Sequence, residues 1–329
     1  MNCCSSRSQI SASSHPAAAV SPASPDTLSI RRIARRYAGE QILVSPISWT
    51  SRHLELLGVS FQEPIPAPSN TNLEFPQGHD GSLYVKEYLR AWWKFSCRLH
   101  NIQRLLAAPE CPLYPRAGGT LHFDRLKKKL YCTFLYHQSK ENVSSASGWP
   151  VAAYADLGEL ESLRKDTLRC YTTARFNPPG QAIWHRKWKR LNPPEPLHDP
   201  YIVALLIAVA QKQRNQLYKA GSVQQCKGKF FSPQVVCSLK SKECLYLYTA
   251  DISSSLLDMF DDSSISPPTP ISTSIEIRTI PISPPQTLRA RLLTLLCPSL
   301  SAMDTNQNLD GEAPNLSMPT TGGHIDPDQ

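Results

Sequence analysis

Glycine is scarce, 14 in 329 residues, and nowhere is it arranged as a phosphate loop or dinucleotide fingerprint. Folds built around glycine-rich nucleotide cradles are therefore not expected. The chain also lacks a nucleophile elbow, a zinc-protease helix and the tight Cys/His pairs of zinc fingers. No apolar run approaches the roughly 20 residues that span a bilayer. The run Tyr201–Ala210 is much shorter and reads as a core helix. The ten Cys lack paired spacing, and no secretory apolar segment follows Met1. Reduced thiols are expected, with Cys132, Cys237 and Cys244 buried among apolar neighbours. No internal repeat is visible, and no catalytic residue, metal or cofactor is expected.

Proline, by contrast, is abundant at 29 residues, concentrated near the ends and in joints. Residues 1–30 are rich in Ser, Ala and Pro and are expected to be disordered. Residues 31–80 are expected to be poorly ordered, with a Pro-rich joint over 62–80. Residues 81–297 read as one globular α+β domain, and 298–329 as a disordered acidic tail. The net charge of +8 is unevenly spread: 81–140 holds eleven Lys/Arg against three Asp/Glu, and 243–329 three against eleven. A basic middle and an acidic end suit an anionic partner or intramolecular attraction, or simply solvated faces.

Hydrophobic spacing predicts one long helix from Ser82 to Ala107, with Val85, Tyr88, Trp92, Phe95, Leu99, Ile102 and Leu106 on one seam. Leu121–Tyr136 fits either a helix or a buried strand. In the C-terminal half, Asp199-Pro200 is expected to open a helix, Asp accepting backbone N–H bonds and Pro fitting the first turn. Gln234–Leu239 and Cys244–Tyr248 read as a hairpin. Asp251 is expected to cap a short helix, Ser272–Ile282 to form a third strand, and Thr287 to cap a last helix. The fold class expected is thus a mainly helical, basic half (81–191) packed on an α-β-β-α-β-α unit (198–297) with a small antiparallel sheet.

The sharpest candidate for function is Trp184-His185-Arg186-Lys187-Trp188-Lys189-Arg190. Two indoles four residues apart stand among five potential cations. Such a segment suits an anionic partner, with rings for stacking and cations for phosphates, or an import signal. The same spacing equally suits two Trp anchoring a helix to a core. Lys86, Arg90 and Lys94, and Lys127, Lys128 and Lys129, form a secondary basic patch. Arg31-Arg32-Ile33-Ala34-Arg35-Arg36 fits a mitochondrial presequence, half an import signal, or a basic helix start. Ser266, Thr269 and Ser283 precede Pro and are candidate phosphorylation sites. Three constellations bear on chemistry: Cys97, His100, His122, Cys132 and His137 for a metal, the pairs His79-Asp80 and His198-Asp199, and Glu276 with Arg278. Core or surface roles fit each of them better.

The segment Asp199-Pro200-Tyr201-Ile202-Val203-Ala204-Leu205-Leu206-Ile207-Ala208-Val209-Ala210-Gln211, with Leu245-Tyr246-Leu247-Tyr248-Thr249-Ala250 and Leu256-Leu257-Asp258-Met259-Phe260, resembles a family of uncharacterised proteins from filamentous ascomycete fungi. The resemblance covers about residues 175–297. It is looser toward proteins of subtelomeric clusters and a hypoxia-responsive factor of hyphal morphology. It brings no catalytic residues. It implies a fungal-specific regulatory or interaction role affecting hyphal or colony morphology. The expectation is a non-enzymatic protein of the nucleus or cytoplasm, with the mitochondrion as a third address. Its partner would be an acidic protein or a nucleic acid. A nucleic-acid-binding accessory factor and a divergent metal-dependent hydrolase or nuclease are the alternatives.

Overall fold

The computed structural model describes residues 28–68, 82–106, 111–137, 148–169, 177–221 and 228–298. The disorder expected before residue 28 and after residue 298, and the pair His79-Asp80, lie outside the described residues. Helices α1 (Ile30–Arg36) and α2 (Ser51–Leu56) precede two short strands, β1 (Val59–Phe61) and β2 (Ile65–Pro66). Helices α3 (Ser82–Arg90) and α4 (Phe95–Leu106) lead into three strands: β3 (Leu113–Phe123), β4 (Leu126–His137) and β5 (Trp149–Asp156). Helices α5 (Leu157–Thr167), α6 (Pro178–Leu191) and α7 (Pro200–Lys219) follow. The chain ends with β6 (Phe230–Phe231), β7 (Gln234–Ser238), β8 (Cys244–Ala250), β9 (Ile252–Ser253), α8 (Ser254–Asp261), β10 (Thr273–Pro281) and α9 (Pro285–Leu296).

Eight strands form one mixed sheet in the order β1-β10-β8-β7-β5-β4-β3, with β2 also on β10. The pairs β5–β7, β1–β10 and β2–β10 are parallel, and the others are antiparallel. The expected fold class is therefore corrected: the N-terminal half is not mainly helical, and the sheet is neither small nor purely antiparallel. The hairpin β7–β8, helix α8, strand β10 and helix α9 follow α7 as the sequence suggests. They join β3, β4 and β5 in one sheet rather than forming a unit of their own. Residues 31–66, expected to be poorly ordered, supply two helices and the edge strands β1 and β2.

Alternation along the strands fixes two faces. Ala153, Ala155, Val235, Cys237, Tyr248, Ile275 and Ile277 point toward α7. Ala152, Tyr154, Val236, Leu245, Leu247 and Ile280 point toward α3, α4 and α9. The result is a three-layer α/β/α arrangement. Helix α7 lies across one face, and Tyr201 to Ala210 are all at most 1% exposed. That explains its apolar character on every side: sheet below, α2 and α8 around it. Each large aliphatic side chain buried there contributes roughly 1.5–3 kcal/mol.

Strand β3 evades a pattern reading because it carries Pro115, Gly118 and Gly119. Pro115 is tolerated because β3 ends the sheet. The register shifts between Ala117 and Gly119, and Gly118 takes φ +78° in the bulge. Gly119 lies against the Phe134 ring, where an added Cβ would come within 2.0 Å of a ring carbon. The ambiguous stretch Leu121–Tyr136 is strand on both sides of a turn, not helix.

The long helix expected over 82–107 breaks at 91–94 into α3 and α4, which pack on each other. Arg98 Nη1 donates to the Trp92 carbonyl freed at the break. Two expected caps are corrected as well. Ser253, not Asp251, caps α8, its hydroxyl accepting from the Leu256 N–H at 3.2 Å. Asp251 instead accepts from the Ser232 hydroxyl at 2.9 Å. Pro284 occupies the N-cap of α9, and Thr287 lies inside the helix. Asp199 does cap α7, accepting from the Tyr201 N–H at 2.9 Å. Of the three thiols expected to be buried, Cys237 is buried, and Cys132 and Cys244 are half-buried.

Candidate functional site

Helix α6 starts because Asn177 accepts from the Gly180 N–H at 3.0 Å and two prolines fill the first turn. It stops at Asn192-Pro193-Pro194, which cannot continue a helix. Over its 14 residues only Gly180 is buried. Its two indoles therefore do not anchor it in the core. Trp184 and Trp188 are half-buried and stack on each other, with centroids 5.6 Å apart at 10°. His185, Arg186, Lys187, Lys189 and Arg190 are exposed.

The helix contains no acidic residue. Arg186 and Arg190 stand four apart, a spacing at which like charges destabilise a helix by a few tenths of a kcal/mol. Lys189 and Arg190 gain something from the helix C-terminus. The net effect is a solvent-facing cationic surface that helix-internal contacts do not neutralise.

The surface continues beyond α6. Lys165 Nζ of α5 lies 5.2 Å from the Trp188 ring centre. Lys165 and Lys240 both hold Glu161, at 2.5 and 2.9 Å. Glu161 is kept below its ordinary pKa by these two lysines, against the opposing effect of its burial. Lys242 Nζ lies 5.3 Å from the Trp92 ring centre. Trp92 sits between Arg90 and Lys94, both exposed, as is Lys86. The α6 segment and the α3 patch are thus joined by a belt of cations over α5 and the β7–β8 turn. The sequence reading missed Lys165, Lys240 and Lys242 as part of this surface; Lys240-Ser241-Lys242 looked only like a polar turn.

Lys127, Lys128 and Lys129 are not part of the belt. They begin β4 on a hairpin that packs on α7, where the His122 N–H donates to Gln211 at 3.0 Å and Gln211 returns a bond at 2.9 Å. On the other side of α6, Lys189 and Arg190 line a groove of about 510 Å³ together with Arg52, Phe61 and His198. Arg52 there is held by Glu40 and Glu55, each at 2.8 Å.

The residues of the three chemical constellations have other places in the fold. Among the described residues, no group of three or more His, Cys, Asp or Glu is placed to hold a metal ion. Cys132 packs toward the α7 face, whereas α4, which carries Cys97 and His100, lies on the opposite face. Burial pushes the Cys132 thiol up to about 12, so it stays protonated. His198 stacks on Phe61 at 5.1 Å and 2°. Asp199 is taken by its capping bond and by Arg164, with both guanidinium contacts at 2.6 Å. Glu276 and Arg278 pair with each other along β10. Ser266, Thr269 and Ser283 are exposed. Arg31, Arg32, Arg35 and Arg36 are exposed on α1, which Ile30 and Ile33 fasten to the core.

No protein-family model matches the chain, and no curated protein sequence matches it. Among the described residues, no helix is long and apolar enough to cross a membrane.

Proposed function

We propose that the chain is a non-enzymatic regulatory or interaction protein, and that α6 with its belt is the surface on which an acidic protein partner docks. In line with the resemblance to ascomycete proteins, the proposed setting is the fungal nucleus, with consequences for hyphal or colony morphology. The observation that carries the reading is the exposure of α6. A helix of 14 residues buries only Gly180 while displaying Arg186, Lys187, Lys189 and Arg190 to solvent. An amphipathic helix ordinarily earns its place by burying one face. Here that face is only half-buried, at Trp184, Trp188 and Leu191, and an acidic partner would offset the like-charge repulsion.

The state of the indoles favours protein over nucleic acid. Base recognition on single strands needs free aromatic faces. Trp188 already has Trp184 stacked on it and a lysine over its ring.

The test uses the full-length chain and a variant with Arg186, Lys187, Lys189 and Arg190 replaced by Ala. Binding is measured against a polyglutamate peptide and a mixed-sequence 20-nucleotide RNA, at low and moderate salt. The peptide is expected to bind in a salt-sensitive way and to lose affinity at least about tenfold in the variant. Thermal unfolding should change little, because exposed substitutions typically cost within about 0.5 kcal/mol. Tight, steeply salt-dependent RNA binding with no peptide binding would replace the acidic partner by nucleic acid. Unchanged binding of both probes, with unchanged nuclear accumulation, would remove α6 from the interface.

A further inference from the structure

Helix α1 and the segment leading into α2 close over a partly open cavity of about 170 Å³. Ile30, Ile33, Trp49, Leu121, Phe123 and Phe260 give it an apolar lining. The β3–β4 hairpin builds one wall. Leu121 pairs with Lys128 across it, and Phe123 with Leu126; all four line the same space. Paired residues of an antiparallel ladder share a face, so this wall carries three apolar side chains and one cation. Leu121 is buried, whereas Leu126 and Leu43, also in the lining, are each 55% exposed. The cavity is therefore apolar from its floor to its mouth.

Lys128 is half-buried. A lysine so placed lays its methylenes along apolar neighbours and keeps its ammonium toward water. Its charge therefore sits where the cavity opens. Among the described residues no acid forms an ion pair with it. Asp124, the acid of the lining, is engaged by the Ser263 N–H and hydroxyl at 2.6 and 2.9 Å. The two elements flanking the cavity add positive charge. Arg125, Lys127 and Lys129 are exposed on the hairpin, and α1 shows Arg31, Arg32, Arg35 and Arg36 to solvent and contains no acid.

We infer that this cavity binds a medium-chain carboxylate, with the hydrocarbon chain in the apolar space and the carboxylate at the mouth on the Lys128 ammonium. Size follows from volume. An apolar cavity of about 150 Å³ accommodates benzene, so the enclosed chain is about six to eight carbons long. The head stays at the mouth because a carboxylate drawn inside would lose its hydration without return. The chain supplies affinity as its apolar area leaves water, and Lys128 selects the sign of the head. This site is separate from α6 and does not depend on the acidic-partner reading.

The test titrates the full-length protein calorimetrically, at low salt, with sodium octanoate, 1-octanol and octyltrimethylammonium, and with acetate as the chainless control. Octanoate is expected to bind saturably, and at least about fivefold more tightly than octyltrimethylammonium, the effect of one partly exposed charge pair. Acetate should give no measurable heat at the same concentrations. Lys128→Met keeps the apolar stem and removes the charge. It should lower octanoate affinity about fivefold and leave octanol affinity unchanged, and Lys128→Arg should keep both. Ile33→Trp should fill the space and abolish binding of octanoate and octanol alike. Replacing Arg186, Lys187, Lys189 and Arg190 by Ala should leave octanoate binding intact. The wild-type comparison stands even if a variant fails to fold. Absence of saturable octanoate binding, equal affinity for octanoate and octyltrimethylammonium, or a Lys128→Met variant that binds octanoate as wild type does would overturn the inference.

Discussion

Arg98 and Asp156 face each other as a bidentate ion pair, Nε to Oδ2 and Nη2 to Oδ1 both at 2.6 Å, with neither side chain exposed. Asp156 also accepts from the Ser238 hydroxyl at 2.5 Å and from the Glu159 N–H at 3.0 Å. The pair ties α4 to the end of β5 and the start of α5. It joins an acid, a hydroxyl and the Tyr154 phenol, yet every partner is spoken for and solvent is excluded. Its role is structural.

Removing one member of such a pair strands a buried charge. Asp156→Ala is expected to cost about 3–5 kcal/mol, measured by urea unfolding. Replacing both partners, Arg98→Met with Asp156→Leu, should cost less than the single change, because no charge is left unpaired. A single-variant loss under about 1 kcal/mol would show that the pair does not hold the helices to the sheet.

Asp199 has two tasks, and two substitutions separate them. Asp199→Asn keeps an oxygen for the Tyr201 N–H but loses the ion pair with Arg164, whereas Asp199→Ala loses both. The alanine variant should be less stable than the asparagine variant by about 1 kcal/mol, the usual worth of an N-cap. Equal stability of the two would mean that the cap adds nothing to α7.

His53 should make stability depend on pH. Burial lowers its pKa from the ordinary 6.5, and Arg190 adds to the lowering, against the Thr50 and Ile42 backbones and Glu40. The unfolded chain therefore takes up the proton first as pH falls. The contribution is complete above the unfolded pKa and is lost as pH drops below it toward the folded pKa, by at most about 1.4 kcal/mol per unit. The stability advantage of wild type over His53→Gln should shrink between pH 7.5 and 5.5. His122, also lowered by burial, contributes equally to both proteins and cancels. A pH-independent difference would contradict a buried neutral ring.

Legibility differed by element for physical reasons. Helix α7 was readable because ten consecutive apolar residues after Asp199-Pro200 leave little else to form. Strands β7, β8 and β10 were readable from β-branched and aromatic runs between turns. Strand β5 was not: Ala152, Ala153 and Ala155 carry no strand preference, and they suit that place because small side chains let helices approach a central strand on both faces. Strand β3 hid behind its proline and glycines. The seam from Val85 to Leu106 suggested one helix because periodicity does not register a break whose freed carbonyl is met by a side chain, that of Arg98 six residues on.

The cations and indoles of α6 were visible in the sequence, and so was their ambiguity between anchoring and display. Composition determined that the chain is basic in its middle, that it carries a core helix after Asp199, and that no glycine-rich nucleotide cradle is present. Only the tertiary structure decided that Trp184 and Trp188 stack on each other outside the core, and that Lys165, Lys240 and Lys242 join α6 to α3. Only it brought Lys128 to the mouth of an apolar cavity. The spacing of residues along a chain reports which face of one element is apolar. Which elements then cover that face, and which charges meet across turns far apart in sequence, is set by packing between layers.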